Sequence, residues 1–191
     1  LLGLVGSEMC IRDRSYPGLP TPSHMVEAFK KALERQDNGY GPSYGIEDLR
    51  EAIAKDERSK GWDCRSDDVY VTHGVTEALQ VLFAAFLEQG DTILAPGPHY
   101  PPYMAYPQMY GAKTVEYALD SDQGWDIDTD DIRRKMNDTV KFIVIVNPNN
   151  PTGNVAKPST IMEVLSIAKD WPNCTIIAVS YTHLTLPTIR E

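Results

Sequence analysis

Asn147-Pro148-Asn149-Asn150-Pro151-Thr152-Gly153 follows directly on the apolar run Phe142-Ile143-Val144-Ile145-Val146. Consecutive buried-type residues suit a central parallel strand covered on both faces, and ligands of such sheets sit beyond the carboxyl ends of the strands. The heptad is therefore expected to be an active-site loop, with Asn150 aimed at a ligand. A residue before proline is pushed out of the α region, and an X-Pro bond can be cis at a cost of only about 0.5–1 kcal/mol, so Pro151 can hold the Asn150 amide in one direction. An NPxG tetrapeptide alone is an ordinary Pro/Gly turn. The whole heptad at the end of a strand says more.

Outward from the heptad, helices and strands alternate without internal repeats or low-complexity segments, the pattern of an α/β layer architecture. The predicted strands are Val69 to Thr72, Thr92 to Ala95, Thr114 to Tyr117, Phe142 to Val146 and Thr175 to Ala178, all short and rich in β-branched or apolar residues. Helices are expected from His24 to Arg35 behind Thr21-Pro22-Ser23, from Ile46 to Lys60 before Gly61, and from Thr76 to Gln89. Further helices are expected near Tyr103 to Tyr110, from Asp128 to Met136 and from Lys157 to Asp170. The expectation is one α/β domain.

The strand-to-helix junction Thr72 to Leu79 suits a phosphate. N–H groups at a helix N-terminus are unpaired and carry about half a positive charge, so an anion binds there without a lysine. Gly74 permits close approach, Val75 and Thr76 offer amides, and the Thr76 hydroxyl is a further donor. The competing reading makes Thr76 a helix cap.

Composition narrows the classes. With 42% hydrophobic and 24% charged residues and no apolar run near the length of a membrane span, the chain is expected to be globular, not membrane-spanning, and cytoplasmic. A net charge of −9 argues against nucleic-acid binding through a basic surface. Cys64 and Cys174 have no CxxC partner, and His24, His73, His99 and His183 are scattered without ligand spacing, so no metal is expected.

Four segments occur in a telling order. They are Tyr40-Gly41-Pro42-Ser43-Tyr44-Gly45 with Leu49-Arg50 and Ala52-Ile53-Ala54, then Thr72-His73-Gly74-Val75-Thr76-Glu77-Ala78-Leu79, then Pro98-His99-Tyr100-Pro101-Pro102-Tyr103, then the heptad. Across residues 16–178 the chain resembles the pyridoxal phosphate (PLP) aminotransferases of classes I and II, the fold-type-I group. The resemblance implies a three-layer α/β fold with a mostly parallel sheet, present here in part, and a transaminase whose cofactor is PLP. It also implies a homodimer acting on amino acids and 2-oxo acids. The pieces Pro96 to Tyr103, Trp125-Asp126-Ile127-Asp128 and Asp131-Ile132-Arg133 most resemble alanine (glutamate-pyruvate) aminotransferases. Aspartate or aromatic aminotransferases, carbon-sulfur lyases and a PLP-sensing regulator stand as alternatives.

The resemblance also assigns roles. Gly74, Val75 and Thr76 would cradle the cofactor phosphate, and Asn150 would donate its amide to the phenolate oxygen. Tyr40 would reach the phosphate of the neighbouring subunit, the lesser reading being a packed loop aromatic in a Gly-rich turn. Counting back from the Tyr106-Pro107 step selects Tyr103 as the aromatic that stacks on the cofactor ring, with Tyr100 its rival. Two groups that the chemistry needs are not found: a Schiff-base lysine and a carboxylate pairing the pyridine nitrogen. Lys169, in a Ser166-x-x-Lys169 arrangement, imitates the lysine motif but falls on a helix ahead of the strand where that carboxylate belongs. No catalytic residue is therefore assigned, and these 191 residues are expected to be inactive by themselves.

Both ends depart from the pattern. Residues 1–15, with Gly6-Ser7-Glu8-Met9-Cys10-Ile11-Arg12-Asp13-Arg14, and residues 179–191, with Ser180-Tyr181-Thr182-His183-Leu184-Thr185-Leu186-Pro187-Thr188, resemble translated sequencing-adapter read-through. They are expected to be a non-native leader and tail flanking the aminotransferase part at 16–178.

Overall fold

The computed structural model describes residues 20–36 and 39–180, so most of both end segments lies outside the described residues. The single domain expected from the sequence divides into two compact units, Leu1–Val71 and Thr72–Glu191.

In the first unit, helix α1 spans Ser23–Glu34 and α2 spans Glu47–Ser59, followed by a 3₁₀ turn at Ser66–Asp68. Glu47 and Asp48 in the first turn of α2 and Arg58 in its last complement the helix dipole. Arg50 is buried at 6% exposure, so its charge must be matched. It pairs with Glu47, donates to the Ser66 carbonyl at 2.7 Å and lies 4.5 Å from the centre of the Tyr44 ring. Gly45 is required where it stands, because its φ is +99° and a Cβ there would sit 2.6 Å from Cγ2 of Val71.

Val69 to Thr72, expected as a strand, is not one. Val69 is extended, with φ −110° and ψ 124°, and the Val71 N–H donates to the Tyr44 carbonyl at 3.1 Å. No β-ladder forms along the segment among the described residues, and an extended backbone without a ladder is not a strand.

The second unit is the sheet. In chain order come α3 (Gly74–Phe86), β1 (Thr92–Gly97), α4 (Pro102–Gln108), β2 (Lys113–Asp120) and β3 (Asp126–Ile127). After these come α5 (Thr129–Lys135), β4 (Val140–Asn147), α6 (Pro158–Lys169) and β5 (Thr175–Ser180). The strand order is β3-β2-β1-β4-β5, parallel except for β3, which pairs antiparallel with β2. Crossing from β2 over β1 to β4 places β1 at the centre. β5 continues past Ala178 through Val179 and Ser180, which pair with Val146 and Asn147, so the strand enters the stretch read from sequence as tail.

Side-chain alternation sorts the core into two layers. Ile93 and Ala95 of β1 with Phe142, Val144 and Val146 of β4 face Leu79 and Phe83 of α3 and Tyr103 of α4. Leu94, Ile143 and Ile145 face the other way with Tyr117 and Leu119, against Ile132 of α5 and Val164 and Ile167 of α6. The sheet is thus covered on both faces, the three-layer α/β arrangement that the run Phe142 to Val146 implied. Each fully buried aliphatic or aromatic side chain contributes about 1.5–3 kcal/mol, so the two layers together hold the strands in register.

One polar group sits inside this core. The Tyr117 hydroxyl donates to the Val144 carbonyl at 2.8 Å, and burial pushes its ionisation far above the ordinary range. Tyr117→Phe is expected to lower unfolding free energy by about 1–2 kcal/mol, because the carbonyl loses a donor that water cannot replace. A urea midpoint unchanged from wild type would show that the bond contributes nothing.

Candidate active site

The carboxyl ends of the adjacent strands β1 and β4 open into two loops, Pro98 to Pro101 and Pro148 to Lys157. The α3 N-terminus lies at the same edge, because Thr76 Oγ1 is 3.3 Å from the Tyr100 hydroxyl just beyond β1. Three of the expected site elements therefore gather at the edge where parallel sheets bind ligands.

The heptad after β4 is a tightly tied turn. Its Asn147-Pro148 and Asn150-Pro151 peptide bonds are cis. Asn149, 6% exposed, fastens it: its N–H donates to the Asn154 carbonyl at 2.8 Å, its carbonyl accepts from the Gly153 N–H at 2.7 Å, and its Nδ2 donates to Thr152 Oγ1 at 2.9 Å. Asn147 Oδ1 accepts from the Ala156 N–H at 3.1 Å. Asn150 stands between these anchors, half-buried, and its side-chain amide makes no hydrogen bond among the described residues. A fixed backbone carrying an uncommitted amide suits a ligand-facing donor. Sequence reasoning missed Asn149, whose signal was its place inside a turn that demands internal hydrogen bonds.

A second support lies under the loop. Asp126 accepts from Thr160 Oγ1 at 3.0 Å and from the Ile127 N–H at 3.0 Å, and Lys157 Nζ lies 3.3 Å away. Asn154 Nδ2 donates to the Trp125 carbonyl at 2.8 Å. These contacts stitch β3 and the preceding Trp125 to the end of the loop at Asn154 and to the start of α6. Burial pushes the Asp126 carboxyl up, but the hydrogen bonds from Thr160, Ile127 and Lys157 outweigh it and hold the group below its ordinary value. A depressed folded-state value means that Asp126 stabilises fully above about pH 4 and that its contribution is lost as the pH falls further. Asp126→Asn is expected to cost about 1–2 kcal/mol near neutral pH, with the gap to wild type closing below about pH 4. A gap of constant size from pH 7 to pH 3 would contradict this.

At the start of α3, Gly74 takes φ +78°, a conformation that side chains with a Cβ resist. The Gly74 N–H turns back to the Thr72 carbonyl at 2.8 Å, and Glu77 accepts from the His73 N–H at 2.5 Å. No side chain caps the helix. The N–H groups of Val75 and Thr76 then face outward with no helical partner, and the half-buried Thr76 hydroxyl stands beside them. These Val75 and Thr76 donors, left open because the Glu77 carboxylate is engaged by the His73 N–H, fit a phosphate.

The two aromatic candidates separate cleanly. Tyr103 has no exposure at all: its side chain lies in the core under α3, and its carbonyl accepts from Thr114 Oγ1 at 2.5 Å. Both faces of its ring are enclosed by the core. Tyr100 meets the Tyr103 ring edge-on at 5.9 Å and 80°, is half-buried, and carries its hydroxyl to Thr76. Tyr40 is fully exposed and belongs to the first unit.

Two other clefts among the described residues lie away from this edge or carry the wrong charge for an anion. One of about 450 Å³ is lined by Asp120, Asp126, Asp128, Asp130 and Glu163 with Lys157, and its field repels phosphate. Lys169 lines another, of about 610 Å³, with Ser166, Cys174 and Thr175. That cleft lies where α6 ends and β5 begins, the amino edge of the sheet, so Lys169 is remote from the loops described above. Among the described residues no cluster could hold a metal ion, and no helix is long and apolar enough to cross a membrane.

A mostly parallel sheet thus carries an uncapped helix N-terminus, a tyrosine and a fixed asparagine at its carboxyl edge. The chain belongs to the aminotransferase class I and II family, whose model matches residues 9–181 and whose members are PLP-dependent transferases. It is similar to the glutamate-pyruvate aminotransferase of Haemophilus influenzae, with 40% identity across 69% of this chain and 33% of that protein. A probable aspartate aminotransferase of Methanocaldococcus jannaschii is 32% identical over 81% of this chain and 41% of that protein. Among solved structures, an alanine aminotransferase from Pyrococcus furiosus superposes with a TM-score of 0.81 and 45% identity, covering 84% of this chain and 41% of that one. An aspartate aminotransferase from Thermus thermophilus gives a TM-score of 0.84 at 29% identity, covering 87% of this chain and 46% of that one. The chain thus spans between a third and about two fifths of the length of these curated relatives.

Proposed function

We propose that this chain is the cofactor-cradling part of a transaminase that moves an amino group between an amino acid, alanine or glutamate, and a 2-oxo acid. The observation that carries the proposal is the meeting of Thr76 and Tyr100 at 3.3 Å, which joins phosphate-type donors to a flat ring at the carboxyl edge. When bound, PLP supplies an electron sink for the bonds at the substrate Cα. The protein's contribution is to hold and orient. Val75 and Thr76 bind the phosphate through their main-chain N–H groups and the Thr76 hydroxyl, and Gly74 lets it approach closely. Tyr100, in place of Tyr103, offers the ring face. Asn150 donates to the phenolate oxygen and stabilises its negative charge.

Tyr40 is proposed to reach the phosphate of a second subunit, so the functional unit would be a homodimer. The lysine that anchors the cofactor and the carboxylate that pairs its pyridine nitrogen are assigned to no residue of this sequence. The 191 residues alone are accordingly expected to give no turnover.

Similarity to aspartate aminotransferases over a longer stretch favours aspartate as the second reading of the donor. The full-length protein loaded with PLP decides between them. With 2-oxoglutarate as acceptor, kcat/KM for alanine is expected to exceed that for aspartate and tyrosine. A higher value for aspartate would overturn the alanine assignment and leave the transaminase reading standing.

A further inference from the structure

The side chain of His99 is 12% exposed, and its Nδ1 lies 2.9 Å from Oε1 of Glu116. The buried Nδ1 makes no aligned hydrogen bond, so the contact is a close polar approach in which the oxygen lies off the N–H direction. Glu116 sits on β2 opposite Ala95 of β1. It shares a strand face with Thr114, two residues earlier, whose hydroxyl bonds the Tyr103 carbonyl, so its side chain emerges on the α4 side of the sheet. α4 itself carries no charged residue. From the opposite face Lys135 Nζ donates to the Glu116 carbonyl at 2.7 Å, which fixes the backbone from which the carboxylate reaches.

The path of that carboxylate crosses the end of β1 at Gly97. A Cβ on Gly97 would lie 3.1 Å from Glu116 Oε2 and 3.3 Å from its Cβ. The missing side chain is what lets Glu116 fold across the strand end toward His99. His99 in turn directly precedes Tyr100, whose far end is held at Thr76. The tyrosine is therefore held at both ends, by its hydroxyl on the phosphate cradle and by its backbone through the imidazole.

We propose that His99 and Glu116 form a positioning pair that sets the tilt of the Tyr100 ring against the cofactor. The inference rests on the proposed cofactor site. Neither residue touches the cofactor, so their effect is on how well it is held and in what orientation.

The test uses the full-length protein with PLP, reading the dissociation constant and the circular dichroism of the cofactor's visible band, which responds to ring orientation. His99→Ala and Glu116→Ala are each expected to weaken PLP binding roughly three- to tenfold and to change the visible dichroism, with the far-ultraviolet spectrum unchanged. The double variant is expected to be no worse than either single, as coupled residues behave. Gly97→Ala should reproduce Glu116→Ala, because the added methyl displaces the carboxylate; it also carries the test if His99→Ala does not fold.

Unchanged binding and dichroism in His99→Ala and Glu116→Ala, while Tyr100→Ala weakens binding, would overturn the pair. So would multiplicative losses in the double variant. Failure of the wild type to bind PLP, or a silent Tyr100→Ala, would instead remove the cofactor site and the pair with it.

Discussion

Tyr103→Ala is expected to destabilise the protein by about 3–5 kcal/mol, the range for removing a buried aromatic from a core that cannot collapse. Tyr103 is fully buried beside Phe83, Ala95 and Val144, between α3 and the central strands. A loss of this size is a large part of the 5–15 kcal/mol that holds a typical domain folded. Tyr100→Ala should behave in the opposite way. Its ring is only half-buried, so thermal stability falls little while PLP affinity drops, because the cofactor loses its stacked face. The two melting curves and the two PLP titrations make the comparison. If Tyr103→Ala melts like wild type and abolishes cofactor binding, the reassignment of the ring contact to Tyr100 is wrong.

Asn150→Ala is expected to lower kcat/KM about ten- to a hundredfold, since a hydrogen bond to a charged oxygen is worth about 1.5–3 kcal/mol. PLP should still bind, because Gly74, Val75 and Thr76 hold the phosphate independently. The bound cofactor's visible band should also titrate at higher pH than in wild type. The amide favours the anionic phenolate, and its removal makes that oxygen easier to protonate. An unchanged titration would take Asn150 out of its assigned role.

The sheet was legible because burial leaves a strong mark on sequence. Phe142 to Val146 could be little other than a strand covered on both faces, and the observed strand extends it only to Val140 and Asn147. The heptad announced its place at a strand end through proline and glycine, whose conformational demands are local. What depends on long-range pairing was less visible. Val69 to Thr72 has strand-like residues, yet a strand exists only through a partner. β3, two residues long and antiparallel, has too short a pattern to register; Trp125, with φ +66°, turns the chain into it.

The tyrosines show the same limit at the site. Tyr100, Tyr103, Tyr106 and Tyr110 look alike in sequence, and counting from the Tyr106-Pro107 step favoured Tyr103. The start of α4 at Pro102 separates the first two in space. It turns Tyr103 into the core in the first helical turn and leaves Tyr100 ahead of the helix, within reach of Thr76. Asn149 and Asp126 were missed because their work is to accept and donate hydrogen bonds across segments far apart in sequence.

The central claim is that the N-terminus of α3, with Tyr100 and Asn150, holds PLP by its phosphate. Its most direct measurement is the dissociation constant of the full-length protein for PLP and for pyridoxal, which lacks the phosphate, in wild type and in Gly74→Val. The valine is strained at φ +78° and disturbs the cradle while leaving the ring and phenolate contacts in place. Wild type is expected to bind PLP far more tightly than pyridoxal, and Gly74→Val to bring the two together. Tight PLP binding by Gly74→Val, still well above that of pyridoxal, would contradict the site.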